Sequence, residues 1–156
     1  MGLDQYLTAH KFTSGYDHHG KGEKETQAKI LAVLGLESSV IARNGPFVAV
    51  DITVMCWRKA NAIHKWFVDT VQDGEDDCGE HDVSREQLEE MAGQCERAVK
   101  SKGDNEILPP AEGFFFGSTE RDEYYYEELE RTGKEIRALL ANPKLEGFTF
   151  QYSSSW

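Results

Sequence analysis

The sequence predicts an α+β fold, a small and mostly antiparallel sheet packed by about three main helices. Residues 47–55 alternate in polarity with a period of two, and longer stretches carry apolar residues at helical spacing. The strand-like and helix-like stretches do not alternate regularly, as the units of a parallel sheet would.

Residues 2–9 begin strand-like. Residues 13–25 hold Gly15, Gly20 and Gly22 among charged residues and read as an exposed loop. Residues 26–36 fit a short helix stopping near Gly35. The turn signal Asn44-Gly45-Pro46 precedes the clearest strand. There Val48, Val50, Ile52 and Val54 share one face, with Ala49, Asp51 and Thr53 on the other.

A helix is expected over 57–72. Cys56, Ala60, Ile63, Phe67 and Val71 fall on its core arc, and Arg58, Asn61 and Lys65 point away. Residues 73–82 form an acidic loop. Ser84 with Gln87 matches a capping box. The helix it opens runs to about Ser101, with Leu88, Met91, Cys95, Ala98 and Val99 on the buried stripe.

Residues 102–112, with Pro109-Pro110, are loop, and 113–117 read as a short strand buried on both faces. Ser118 or Thr119 is the expected cap of a helix over about 120–141. Its stripe is Tyr125 or Tyr126, Leu129, Gly133, Ile136 and Leu140, and Asn142-Pro143 stops it. Phe148, Phe150 and Tyr152 then alternate in a final strand over 147–152. With no internal repeat and no linker-like stretch, a single globular domain over 1–156 is expected.

The 156 residues are 39% hydrophobic and 29% charged, which suits a folded protein. The longest apolar runs are a few residues, such as 54–57, so no membrane-spanning helix is expected. The start has neither the charged nor the apolar region of a secretory signal. Three cysteines at unrelated spacings suggest a reducing cytoplasm rather than a disulfide framework. The net charge of −11 is uneven. Residues 1–68 hold eight basic and six acidic residues, and residues 69–156 nine basic and twenty-two acidic. This balance disfavours bulk nucleic acid and anionic lipid as partners. It leaves room for a small basic pocket, or for an acidic surface docking a basic protein groove.

The densest candidate site is the acid-free segment 57–66. Arg58 and Lys65 would grip a phosphate, Asn61 and His64 would add hydrogen bonds, and Trp57 or Trp66 would stack on a base. Against this, cations on the outer face of an amphipathic helix normally face water, and no phosphate-loop spacing is present. The second candidate is Tyr124, Tyr125 and Tyr126. Three consecutive helical residues cannot all face a core, so at least one ring is expected outside, beside Glu123, Glu127 and Glu128.

The acidic loop offers Asp76, Asp77, Cys78 and His81, but neither calcium-hand spacing nor a second zinc pair. Asp17, His18 and His19 offer further donors, and a histidine-bearing loop accounts for them as well. Cys56 and Cys95 fall on predicted buried stripes, and Cys78 sits among carboxylates. No catalytic arrangement, metal site or cofactor is assigned.

Several runs also resemble known proteins. They are Met1-Gly2-Leu3-Asp4 with Tyr6-Leu7, the run Trp-Arg-Lys-Ala-Asn-Ala-Ile-His-Lys-Trp-Phe-Val over 57–68, residues 71–74 with 77–79, and residues 83–88. To these are added Gly-Phe-Phe-Phe-Gly-Ser-Thr over 113–119, Tyr124 to Tyr126, and Ser154-Ser155-Trp156. Together they resemble a family of small phage and prophage proteins, over both ends and most of 57–129 and weakly over 10–50. The resemblance implies a context, a phage accessory protein inside a bacterial cell, a class that often counters host defence.

Two functions are expected from these features. One is non-catalytic binding and sequestration of a nucleotide-like anion, in a pocket that a homo-oligomer would suit. The other is inhibition of a host protein by the acidic half, by docking or by mimicking nucleic acid. A metal-dependent hydrolase using the acidic loop ranks third.

Overall fold

The first and last of the described strands are neighbours. The computed structural model describes residues 2–16, 21–37, 47–102, 106–113 and 116–156. Strand β1 (Asp4–Ser14) lies between β2 (Phe47–Arg58) and β4 (Thr149–Ser155), with β3 (His81–Val83) beyond β4. The sheet order is β2-β1-β4-β3 and the strands are antiparallel. The helices are α1 (Lys21–Val33), α2 (Asn61–Val71), α3 (Arg85–Lys100) and α4 (Glu123–Ala141), with a short 3₁₀ turn at Pro143–Leu145. This is the α+β architecture expected from the sequence. Among the described residues no helix is long and apolar enough to cross a membrane.

The chain divides into two compact units, residues 1–9 with 52–156, and residues 10–51. The larger unit holds the hydrophobic core. Gln5, Leu7 and Ala9 of β1 face inward, as do Met55 and Trp57 of β2 and Phe150 and Tyr152 of β4. The helices answer with Ile63 and Phe67, with Leu88, Met91 and Cys95, and with Leu129 and Ile136. Phe67 stacks on Tyr152 with ring centroids 3.9 Å apart. Each large apolar side chain buried here contributes about 1.5–3 kcal/mol.

Helix α3 opens on the expected capping box. The Ser84 hydroxyl accepts from the Gln87 amide at 3.1 Å, and the Gln87 side chain accepts from the Ser84 amide at 2.9 Å. At the α3–α4 contact a β-carbon on Gly133 would sit 3.4 Å from Cys95 Cβ, so glycine there permits the close approach. The α4 cap is Asp122, which accepts from the Tyr125 amide at 3.0 Å, rather than Ser118 or Thr119. Ser118 is occupied elsewhere, because its hydroxyl accepts from the Glu120 amide and closes a local turn.

Three other sequence expectations are corrected. Strand β2 continues to Arg58 and α2 starts only at Asn61, so residues 57–60 are not helical. The period of two persists: Met55 and Trp57 are buried, while Cys56 and Arg58 face outward. Cys56 is therefore exposed, not a core residue. Residues 113, 116 and 117 form no strand, since Gly117 adopts φ 88° and breaks the extended run; Phe114 and Phe115 lie outside the described residues. Residues 81–83, expected mostly as loop, pair with β4, His81 opposite Tyr152 and Val83 opposite Phe150. Three residues carry too little pattern to show as a strand.

In the smaller unit, the end of β1 meets the start of β2. The Thr13 hydroxyl donates to the Val48 carbonyl at 3.0 Å, and His10 Nδ1 lies 2.6 Å from Asp51 Oδ1. Strand β1 runs on to Ser14, and α1 begins at Lys21, earlier than the expected position 26. Apart from Gly22, residues 21–25 are charged and lack an apolar stripe, yet Lys and Glu are good helix formers and Glu23 suits the first turn. Gly35 ends α1 as expected, with φ 67° and its amide on the Ala32 carbonyl.

Candidate functional site

The site lies in the larger unit, where β2 gives way to α2. The two elements are joined by Lys59, which adopts a left-handed φ of 56°, and by Ala60. A non-glycine residue in that region is a strained position that its surroundings must hold. Part of the hold is the Lys59 amide, which donates to the Leu3 carbonyl at 2.7 Å. Gly117 packs against the Lys59 side chain from the other side.

Ala60 cannot cap the helix it precedes, and no side chain does so. The His64 amide reaches the Ala60 carbonyl at 3.0 Å, and the Asn61 amide reaches Lys59. Ala62 and Ile63, which follow, are both buried. The start of α2, as of any helix, leaves its first amides without acceptors inside the helix. It opens on a pocket of about 210 Å³ lined by Lys59, Ser118, Glu120, Asp122, Tyr124, Tyr125 and Glu128, among others. Lys59 supplies the positive side chain. Of the three carboxylates, Asp122 caps α4 and Glu128 pairs with Arg131, which leaves Glu120 exposed at the rim.

Asn61 fixes the pocket's far wall. Its Nδ2 donates to the carbonyls of Phe116 (3.2 Å) and Ser118 (2.8 Å), and its Oδ1 accepts from the Ala111 amide at 3.3 Å. Tyr125 anchors the same segment, donating its hydroxyl to the Leu108 carbonyl at 2.8 Å. Burial pushes the Tyr125 phenol up to about 12. Tyr124 stands half exposed at the pocket edge and donates to the Arg58 carbonyl at 3.0 Å. Its phenol is also raised, by burial first and then by Glu128.

The six residues proposed from segment 57–66 have different fates. Trp57 is buried and donates Nε1–H to the Thr132 hydroxyl at 2.8 Å. Trp66 is buried against Phe67. His64 is 1% exposed, its Nδ1 lies 2.8 Å from the Tyr152 hydroxyl, and its Nε2 faces Asp76 at 3.2 Å without hydrogen-bond alignment. Tyr152 donates onward to Gln5, and Gln5 to the Ala60 carbonyl at the pocket. Arg58 is exposed on β2, 3.7 Å from Asp4, and Lys65 is half-buried on α2 and paired with Asp69. Arg58, Asn61 and Lys65 thus do not share one helix side, because Arg58 belongs to the strand and Asn61 is buried under the loop. Only Asn61 lines the pocket. Lys59 and Ser118 were missed as site residues. Lys59 was visible as a cation in the acid-free segment, but nothing local marks Ser118.

Of the tyrosines, Tyr124 is exposed, Tyr125 buried and Tyr126 between, edge-on to Tyr125 at 5.0 Å. In the acidic loop, Asp77 holds His81 at 2.7 Å and the Gly79 amide at 2.8 Å. The hydrogen bond from His81 keeps the Asp77 carboxyl below its ordinary range. Asp76 accepts from Trp156 Nε1 at 3.2 Å. Among the described residues no three His, Cys, Asp or Glu side chains are grouped to hold a metal ion. Asp17, His18 and His19 lie outside the described residues. No protein-family model, curated protein or solved structure matches this chain.

Proposed function

We propose that this chain is a phage accessory protein that counters host defence inside the bacterial cell by binding a nucleotide-like anion without transforming it. The observation that carries the reading is the uncapped start of α2, which lines the pocket beside Lys59. Backbone amides at a helix start, with the positive end of its dipole, favour an anionic oxygen. Lys59 adds a full charge, the Ser118 hydroxyl a further donor, and Tyr124 a flat face for a base.

The carboxylates of Glu120, Asp122 and Glu128 select against a ligand that is anionic throughout. They favour one with an anionic end and an amino-bearing end. Among the described residues that line it there is no histidine or cysteine to serve as base or nucleophile, and on that ground the reading is binding rather than turnover.

Native mass spectrometry of the protein purified from bacteria tests the reading. An added mass of nucleotide size is expected, lost in Lys59→Ala and kept in Lys65→Ala, whose side chain is outside the pocket. A clean apo mass, together with no calorimetric heat from nucleoside mono- and diphosphates, would sink it.

A second reading, an acidic inhibitor docking a basic host protein, is favoured by Tyr124, which is 52% exposed and flanked by exposed Glu123 and Glu127. It predicts association that weakens steeply with salt. Failure to recover any host protein at low salt counts against it.

A further inference from the structure

The smaller unit presents its aromatic residues to solvent. Phe12 is 48% exposed, Phe47 47% and Tyr16 45%. The three form one cluster, with Phe12 and Phe47 centroids 5.0 Å apart and Tyr16 edge-on to Phe47 at 5.5 Å. Meanwhile the side chains buried in this unit include the polar Thr13, Ser14 and Gln27. A protein rarely leaves grouped aromatic rings in water while burying polar ones without using the rings for contact.

Two further observations say what covers them. First, β2 ends the sheet order, so residues 47–51 pair with β1 on one side and with no described strand on the other. The run Phe-Val-Ala-Val-Asp, which follows Pro46, holds no lysine of the kind that commonly guards an open edge, and its only charge, Asp51, is engaged by His10. Second, residues 10–51 hold five basic and five acidic residues and are net neutral, so the remainder carries the entire −11. A cationic partner would be drawn to the acidic remainder. A second copy of this chain is repelled by the acidic stretch 69–156, whereas this unit adds no net charge to oppose it.

We infer that two copies of this chain associate through the face that carries Phe12, Tyr16 and Phe47, by antiparallel pairing of their β2 edges over 47–51. A two-fold axis perpendicular to the sheet keeps the same face up in both copies, so each Phe12–Phe47–Tyr16 cluster comes beside its mate. Such a contact is self-complementary and closes at two copies.

Size-exclusion chromatography with light scattering, run across a concentration series, reads the association. The wild type shifts from monomer to dimer as concentration rises, and the dimer strengthens with salt as repulsion is screened. Phe12→Ser with Phe47→Ser weakens it by about ten-fold or more at unchanged far-ultraviolet circular dichroism. Hydrogen exchange on the wild type needs no variant, and the 47–51 amides gain protection with concentration. A monomer at every concentration overturns the inference. So does a dimer that forms with no added protection at 47–51, or a host protein bound to this face in place of the second copy.

Discussion

The Trp57 indole donates to the Thr132 hydroxyl across 2.8 Å and ties the end of β2 to the middle of α4. Both residues are buried, 2% and 0% exposed. Neither polar atom has water to fall back on.

Thr132→Val keeps the shape of the side chain and removes the acceptor. The indole N–H is then buried without a partner, at a cost of about 1–3 kcal/mol. Urea denaturation should show a lower midpoint at an unchanged slope. An unchanged midpoint would mean that the hydrogen bond contributes nothing net.

Asn61 separates a missing group from a wrong one. Asn61→Ala removes three hydrogen bonds at once and frees the segment around residues 111–118. Asn61→Asp keeps the acceptor toward Ala111 but turns a second oxygen onto the carbonyls of Phe116 and Ser118. The aspartate variant should be the less stable of the two, although its volume is the more conservative. Limited proteolysis near 111–118 together with thermal melting would order the pair.

Burial holds the Cys95 thiol up at about 12, against an ordinary 9.0. The folded state therefore keeps its proton at pH values where the unfolded chain gives it up. Stability from this group is intact below pH 9 and is lost progressively between 9 and 12, at roughly 1 kcal/mol per pH unit. Tyr125, also pushed up to about 12, adds to the loss above pH 10. Cys95→Ala should flatten the alkaline limb of a stability-against-pH curve while lowering its plateau through lost packing. A limb of unchanged slope would place the titration elsewhere.

What was legible in the sequence was what neighbours decide. Ser84 and Gln87 are three apart, and their reciprocal capping needs nothing else to form. Likewise Leu129, Gly133 and Ile136 declare their shared face by spacing alone, and three adjacent tyrosines had to leave one ring outside. The border at residues 56–61 was illegible because Cys56, Ala60 and Ile63 satisfy a helical arc while Met55 and Trp57 satisfy a strand. The sheet and α4 settle that contest, and neither is local. The pocket was illegible for the same reason. Asn61 becomes a hub only when residues 50 to 57 positions away arrive to be bonded.

The sheet order has a consequence for how the chain is made. Of the described strands β1 leaves the ribosome before the others, but one of its two neighbours, β4, follows all the rest. The bond from Tyr152 to Gln5 spans 147 positions. Until β4 arrives, Leu7 and Ala9 have only part of their cover, and the nascent chain carries an incomplete sheet beside finished helices. Folding of the larger unit is thus largely deferred until β4 has been made, and its closure is slow and non-local. Premature arrest before residue 149 would release a chain with an open seam at the centre of its sheet, a natural substrate for chaperones and proteases.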